Sequence, residues 1–284
     1  MTATLTFWGT RGSVPVAGPD TVHYGGNTPC LVLESPGLPP IILDAGTGLR
    51  AYGATINNGD FAGVLLLSHT HWDHIQGLPF FGPLWRPGSR LAILGPRPAH
   101  HGLAETLARQ MAPDVFPVPF ERFAGEVSVT EITETSFALG DTGVRAIRMH
   151  HPGVAFGYRL TPAGGGREVA YLTDNELHLG GEPFAAPWRR ELVTALHGVH
   201  TLVHDAAYDQ ATAAVRRGWG HSTPEEAVTL ALDAGARRLV LFHHEPGSDD
   251  ATVDRMLHEA KVFAHKRAPD LEVMAAADGS RLSL

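Results

Sequence analysis

The chain has 284 residues, 43% hydrophobic and 18% charged, with a formal net charge of −8. That composition supplies a sizeable core and excludes predominant disorder, and the acidic balance excludes a broad basic surface for phosphate backbones while leaving room for a local basic pocket. The single cysteine, Cys30, excludes an internal disulfide and fits a reducing cytoplasm.

Short apolar runs of strand length recur along the chain. In order they are Leu5-Trp8, Leu31-Glu34, Ile41-Asp44, Val64-Ser68, Leu91-Leu94, Val127-Ile132, Val144-Met149, Phe156-Leu160, Val169-Thr173, Leu202-His204, Leu239-Phe242 and Leu271-Met274. Helical periodicity falls at Leu103-Met111, Trp188-His197, Pro224-Ala234 and Ala251-Lys266. The third of these has the start signals of a helix: Thr223 as N-cap, Pro224 at the first helical position, and Glu225 and Glu226 at the positive end of the dipole. Gly164-Gly166 reads as a hairpin turn between two of the strands, and the Pro-rich stretch Pro113-Pro119 as a surface loop or lid over a neighbouring cleft. Strands dominate early and mix with helices later, without a long linker. The expectation is a single α/β domain over 1–284, with two sheets packed face to face and helices outside.

No apolar run approaches the roughly 20 residues that a membrane-spanning helix needs. Met1-Gly12 has no basic stretch followed by an apolar run and a cleavage site, so no secretory signal is expected. The cytoplasm is the expected compartment.

The 17 histidines fall mostly near predicted strand ends, which points to metal chemistry, imidazole being the commonest metal ligand at neutral pH. The densest group, His69-Thr70-His71-Trp72-Asp73-His74, directly follows the run Val64-Leu67. In an extended segment His69 and His71 project the same way, and a turn at Trp72 presents Asp73 and His74 to a second point, so one short loop could serve two metals.

This hexapeptide resembles the defining His-x-His-x-Asp-His loop of the metallo-β-lactamase superfamily, a four-layer αββα sandwich. The resemblance covers nearly the whole chain, because later positions match in order, each closing a strand-like run. It implies His69, His71 and His151 on one metal, Asp73, His74 and His243 on a second, and Asp174 bridging both. His150 beside His151, and His244 beside His243, leave each register open by one residue. The His-Pro-Gly…Phe-Gly-Tyr-Arg-Leu context favours His151, and the position directly ending a strand favours His243. Asp44, in Leu43-Asp44-Ala45-Gly46-Thr47-Gly48, resembles the superfamily's early Asp-x-Gly element, which supports ligands and loop backbone by hydrogen bonds.

Phe7-Trp8-Gly9-Thr10-Arg11-Gly12-Ser13-Val14-Pro15 resembles the opening of the tRNase Z and cyclic-phosphate phosphodiesterase branch. His204-Asp205-Ala206-Ala207 and Gly220-His221-Ser222-Thr223 resemble two tRNase Z loops in which an acidic residue orients a histidine that handles the leaving-group proton. The resemblance implies Asp205 as the orienting carboxylate and His221 as proton donor, with the ligand Asp73 completing the catalytic residues. Asp stands here where the tRNase Z pattern has Glu, one methylene longer. The substrate-gripping arm usual in bacterial tRNase Z is replaced by a short Gly-rich hairpin between His151 and Asp174, and redox di-iron relatives carry Glu where this chain has His71.

The resulting expectation is a phosphodiesterase acting on a cyclic nucleotide or other small cyclic phosphodiester, through a hydroxide bridging two divalent metals, zinc first with manganese or iron open. The alternatives are a carboxyl-group hydrolase of lactonase or β-lactamase type, a tRNA 3′-processing-like endonuclease, and a metal-binding regulatory protein without turnover. The expected partner is the small phosphodiester itself. Extended nucleic acid is disfavoured, no membrane partner is expected, and a homodimer stays open.

Overall fold

The computed structural model of the chain describes residues 2–57, 59–178 and 185–284. Its elements run β1 (Thr4–Gly9), β2 (Cys30–Glu34), β3 (Ile41–Leu43), α1 (Gly48–Thr55), β4 (Ala62–Leu66), α2 (Trp72–Ile75), β5 (Arg90–Pro96), α3 (Leu103–Arg109) and β6 (Glu126–Ile132). They continue with β7 (Ser136–Leu139), β8 (Thr142–Arg148), β9 (Phe156–Thr161), β10 (Val169–Leu172), α4 (Ala185–Leu196), β11 (Thr201–Asp205) and α5 (Gln210–Val215). The chain closes with α6 (Pro224–Ala234), β12 (Arg238–Phe242), α7 (Asp250–His265), β13 (Glu272–Ala275) and β14 (Arg281–Ser283).

These elements form two compact units: one from the chain up to Val16, Gly25–Thr133 and Ala277–Ser283, the other from Ala17–Tyr24 and Glu134–Ala276 with Leu284. Each unit holds one seven-stranded mixed sheet. In the first the order is β14-β1-β2-β3-β4-β5-β6, antiparallel from β14 to β3 and parallel from β3 to β6. In the second the order is β13-β12-β11-β10-β9-β8-β7, antiparallel from β7 to β10 and parallel from β10 to β13. Loops at the carboxyl ends of parallel strands are where α/β sheets commonly place ligands, because the crossovers leave those ends open.

Strand periodicity decides the core of the first unit. Cys30 and Val32, Leu65 and Leu67, and Leu91 and Ile93 stand two apart, so each pair points to one face. That face is buried with Leu49 and Tyr52 of α1 and Leu103 and Leu107 of α3. Tyr52 stacks on Phe81, and Phe61 meets Phe81 edge-on with centroids 5.2 Å apart. Burial of each such side chain stabilises the unit by about 1.5–3 kcal/mol. The thiol of Cys30 lies inside this core, and burial, reinforced by Asp44 and Asp278, raises its pKa well above the ordinary thiol value. It is an apolar filler here, not a nucleophile.

Helix α6 starts as its sequence dictates. The Thr223 side chain accepts from the Glu226 amide, Glu226 reaches back to the Thr223 amide, Pro224 opens the helix, and Gly235 closes it at φ 69°. This capping box fixes the residue two positions after His221. Between β9 and β10, Gly164 and Gly165 adopt φ 76° and 78°, the turn conformation expected of them. The expected strands Ile41-Asp44 and Val169-Thr173 stop earlier, at Leu43 and Leu172, because Asp44 and Asp174 take left-handed backbone and turn the chain out of the sheet. Among the described residues no helix is long and apolar enough to cross a membrane.

Candidate metal centre

In the first unit the donors follow the carboxyl ends of the neighbouring strands β3 and β4. Asp44, fully buried, accepts from the Ser68 amide at 2.7 Å, from Ser68 Oγ at 2.8 Å and from His74 Nδ1 at 2.8 Å. Proton accounting then fixes the imidazoles. A carboxylate only accepts, so His74 carries its proton on Nδ1. Ser68 spends its hydroxyl proton on Asp44, so its oxygen accepts from His69 Nδ1 at 3.0 Å. Both rings therefore present Nε2 as a lone pair. His74 Nε2 lies 3.2 Å from Asp73 Oδ2, which itself accepts from the Ser13 amide at 2.7 Å. The Gly12-Ser13 turn after β1 thus positions Asp73, with Ser13 at φ 59°. His69, Asp73 and His74 are buried, and His71 is exposed; His69 and His71 offer ring nitrogens within 4.8 Å of each other.

In the second unit the donors follow β8, β10, β11 and β12. His151 Nδ1 donates to the Gly220 carbonyl at 3.3 Å, so its Nε2 is the lone-pair nitrogen, 3.8 Å from Asp174 Oδ2. The other oxygen of Asp174 accepts from Thr173 Oγ1 and lies 3.2 Å from His243 Nε2. Asp174 and His243 both hold positive φ, 45° and 62°. Of the two adjacent pairs, His151 and His243 face Asp174. The His150 ring packs near Trp188, and His244 Nε2 donates to the Ala276 carbonyl while its ring meets Tyr24.

Asp205, fully buried at the end of β11, holds His221 Nδ1 at 2.6 Å and also accepts from the Ala207 amide. The shorter Asp side chain thus reaches the imidazole directly. The His221 ring stacks on His243 with centroids 4.9 Å apart and meets the Tyr208 ring edge at 5.1 Å. Asp205, His221 and His243 together bring ligand atoms within 4.8 Å of one another. Beneath them His204 is buried: Nδ1 donates to the Asp205 carbonyl and Nε2 accepts from Asn175 Nδ2. Burial pushes its pKa down to about 4, so the ring is neutral. Burial likewise raises the Tyr208 phenol, partly offset by Arg216.

Three supporting residues have no place in the sequence reading. Ser68 ties Asp44 to both His69 and His74. Glu176 accepts from the amides of Gly218 and Gly220 and so shapes the loop that delivers His221. Asn175 links His204, Asp205 and the His150 amide. Their signal was adjacency: Ser68 abuts His69, and Asn175 and Glu176 continue the polar run that ends β10.

The donor chemistry fits divalent cations in each unit. The His74 lone pair faces an Asp73 carboxylate oxygen, and the His151 lone pair faces one of Asp174. Two electron-pair donors at such separations repel unless a shared cation lies between them, and mixed imidazole and carboxylate sets suit zinc and similar ions. Asp174 directs one oxygen at each of two histidines.

A fold of two mixed sheets whose strand-end loops carry His and Asp donors defines the metallo-hydrolase class. The family model for the β-lactamase superfamily domain matches residues 40–244, and the chain belongs to that family, the metallo-β-lactamase superfamily of hydrolases. Ribonuclease BN of Salmonella paratyphi C is 26% identical, over 91% of this chain and 94% of its own. Among solved structures, the metallo-β-lactamase fold protein YhfI of Bacillus subtilis matches with TM-score 0.71 and 17% identity, covering all of both chains. The short form of human tRNase Z matches with TM-score 0.64 and 22% identity, over 99% of this chain and 98% of its own. The fold is therefore the metallo-β-lactamase fold that the sequence led us to expect.

Proposed function

We propose that the chain is a dinuclear metal-dependent phosphodiesterase whose substrate is a cyclic nucleotide or another small cyclic phosphodiester. The observation that carries this reading is the 2.6 Å contact between buried Asp205 and His221 Nδ1, a proton-handling pair beside the ligand Asp174 that a lactonase or lactamase does not require. His69, His71 and His151 would hold one ion, Asp73, His74 and His243 the other, and Asp174 both. When bound, the ions supply Lewis acidity that lowers the pKa of water and offsets charge on the phosphoryl oxygens. Zinc suits these donors, with manganese and iron(II) as alternatives.

The protein's own part is orientation and proton transfer. With Nδ1 committed to Asp205, His221 carries a transferable proton on Nε2, and Asp205 offsets the charge of the imidazolium. The rings of His243 and Tyr208 flank it and limit its rotation. Ribonuclease BN and tRNase Z are by name RNA-cleaving enzymes, which supports phosphodiester chemistry. The charge of −8 and the short β9–β10 hairpin support a small substrate over a gripped RNA. The cytoplasm is the compartment that suits a buried, reduced Cys30.

The leaving group tests the reading. His221→Ala should reduce hydrolysis of a cyclic nucleotide by roughly 10²- to 10⁴-fold, and should reduce hydrolysis of bis(p-nitrophenyl) phosphate far less, because nitrophenolate departs without a proton. Equal losses on both substrates at unchanged metal content would make His221 structural. Turnover of lactones or lactams without diester cleavage would replace the reading by a carboxyl-group hydrolase.

A further inference from the structure

The ligand loop of the first unit carries an exposed aromatic residue that the chemistry above leaves unused. Trp72 stands between His71 and Asp73, in α2, and is 67% exposed. Three of the eight large hydrophobic side chains exposed among the described residues, Trp72, Phe80 and Val115, line one cleft of about 700 Å³. Scattered exposed hydrophobics are ordinary, but a cluster in a concavity of ligand-binding size marks a binding site. Phe116 completes the aromatic wall, meeting Phe80 edge-on with centroids 5.7 Å apart. The Pro113-Pro119 stretch is thus the cleft's outer lip, supplying Val115 and Phe116.

The same cleft holds selective polar groups. Exposed Arg50 lies on its lining. Gln110 also lines it, and Gln110 Nε2 is buried without a hydrogen-bond partner among the described residues. A buried amide left unsatisfied is costly, so such a group is retained where a ligand completes it. Flat aromatic faces, a guanidinium and a carboxamide form the set that recognises a planar heterocycle bearing ring nitrogens and exocyclic oxygens. A bare acyl chain would leave Gln110 unanswered. The cleft also begins at Trp72, the residue between two metal-site donors, His71 and Asp73.

We infer that this cleft binds the heterocyclic base of a nucleotide substrate, with Trp72 as the stacking platform and Gln110 as a base-edge contact. The inference rests on the phosphodiesterase reading for its substrate and names the part of that substrate held away from the chemistry.

Titration of the purified full-length protein with nucleoside 5′-monophosphates and with ribose 5-phosphate tests it. Both carry the same phosphate, so any attraction to the metals is common and the difference reports the base. At least one nucleotide should bind ten-fold or more tightly than ribose 5-phosphate. Trp72→Ala should remove roughly ten-fold to a hundred-fold of that affinity, and Trp72→Phe should stay within about three-fold of the parent. Gln110→Leu should change the ranking among the four bases. In turnover of a cyclic nucleotide, Trp72→Ala should raise KM and leave kcat within about three-fold. Equal binding of nucleotide and ribose 5-phosphate, or unaltered nucleotide affinity in a folded Trp72→Ala protein, would overturn the assignment. Base-selective binding without hydrolysis of any diester would support the cleft and refute the phosphodiesterase reading. Hydrolysis insensitive to Trp72 would do the reverse.

Discussion

Replacing Asp44 by Asn keeps the side chain's size, removes one acceptor and leaves the hydrogen bonds around it in conflict. The two carboxylate oxygens serve three donors: the Ser68 amide on Oδ1, and Ser68 Oγ and His74 Nδ1 on Oδ2. If the Asn NH₂ takes the Oδ2 position, Ser68 Oγ can turn to accept from it, but His74 Nδ1 then meets a donor. If the NH₂ takes the Oδ1 position, it confronts the Ser68 amide instead. Either orientation leaves one buried donor opposed, which costs about 1–3 kcal/mol. The backbone adds nothing to this cost, because Asn tolerates the φ of 62° as well as Asp does. The relaxed solution is for His74 to move its proton to Nε2, the nitrogen assigned to a metal. We expect Asp44→Asn to weaken metal binding by about 10- to 100-fold, measured by chelator competition, and ¹⁵N NMR of the metal-free protein to show His74 protonated on Nε2. A variant with an Nδ1-protonated His74 and metal affinity within two-fold of the parent would refute this account of how Asp44 acts.

Other parts of the site carry three further expectations. A Cβ on Gly220 would fall 1.9 Å from His151 Nδ1 at φ 91°, whereas one on Gly218, at φ 82°, would meet nothing within 4 Å; Gly220→Ala should therefore lose metal and melt about 3–10 °C lower, with Gly218→Ala milder on both counts, and a Gly220→Ala protein indistinguishable from the parent would refute the packing. His204 has its pKa lowered from 6.5 to about 4, so the unfolded chain binds the extra proton between those values. Its stabilising contribution is complete above pH 6.5 and falls by about 3 kcal/mol as the pH drops to 4. Urea unfolding in chelator at pH 7 and 4.5 should show His204→Gln losing less stability over that span than the parent; an identical slope would remove the assignment. Elemental analysis of the saturated protein should give close to two metals per chain and Asp174→Ala should loosen both, whereas a limit of one metal would end the dinuclear reading.

The interior strands were legible because Leu, Val and Ile runs such as Val64–Leu67 and Leu239–Phe242 have few other ways to be buried. Two of the four edge strands, β7 and β14, were not. Ser136–Leu139 alternates exposed and half-buried residues, and Arg281–Ser283 buries only Leu282, so neither carries a run long enough to register. Helix α1 was hidden by its two glycines, and α5 by its small size and lack of buried residues. At the site, donors at fixed offsets were readable, and so was the Asp205–His221 pair through its resemblance. Ser68, Asn175 and Glu176 were not, since a hydroxyl, an amide and a carboxylate beside a motif look the same whether they face water or a neighbour. Their roles depend on which loops the parallel strands bring together, for example β10 beside β11, and that is a property of topology.

Ser13, Asp44, Asp174 and His243 are the non-glycine residues at positive φ among those described, and every one sits in a loop that carries or steadies a donor. Glycine at Asp44, Asp174 or His243 would relax the backbone and delete a side-chain contact of the centre, whereas at Ser13 the backbone amide that holds Asp73 would remain. A population selected for folding alone, by expression yield or heat resistance, is therefore driven toward inactive proteins at these three side-chain positions. Library design for a more robust version should hold them constant and seek its gains elsewhere.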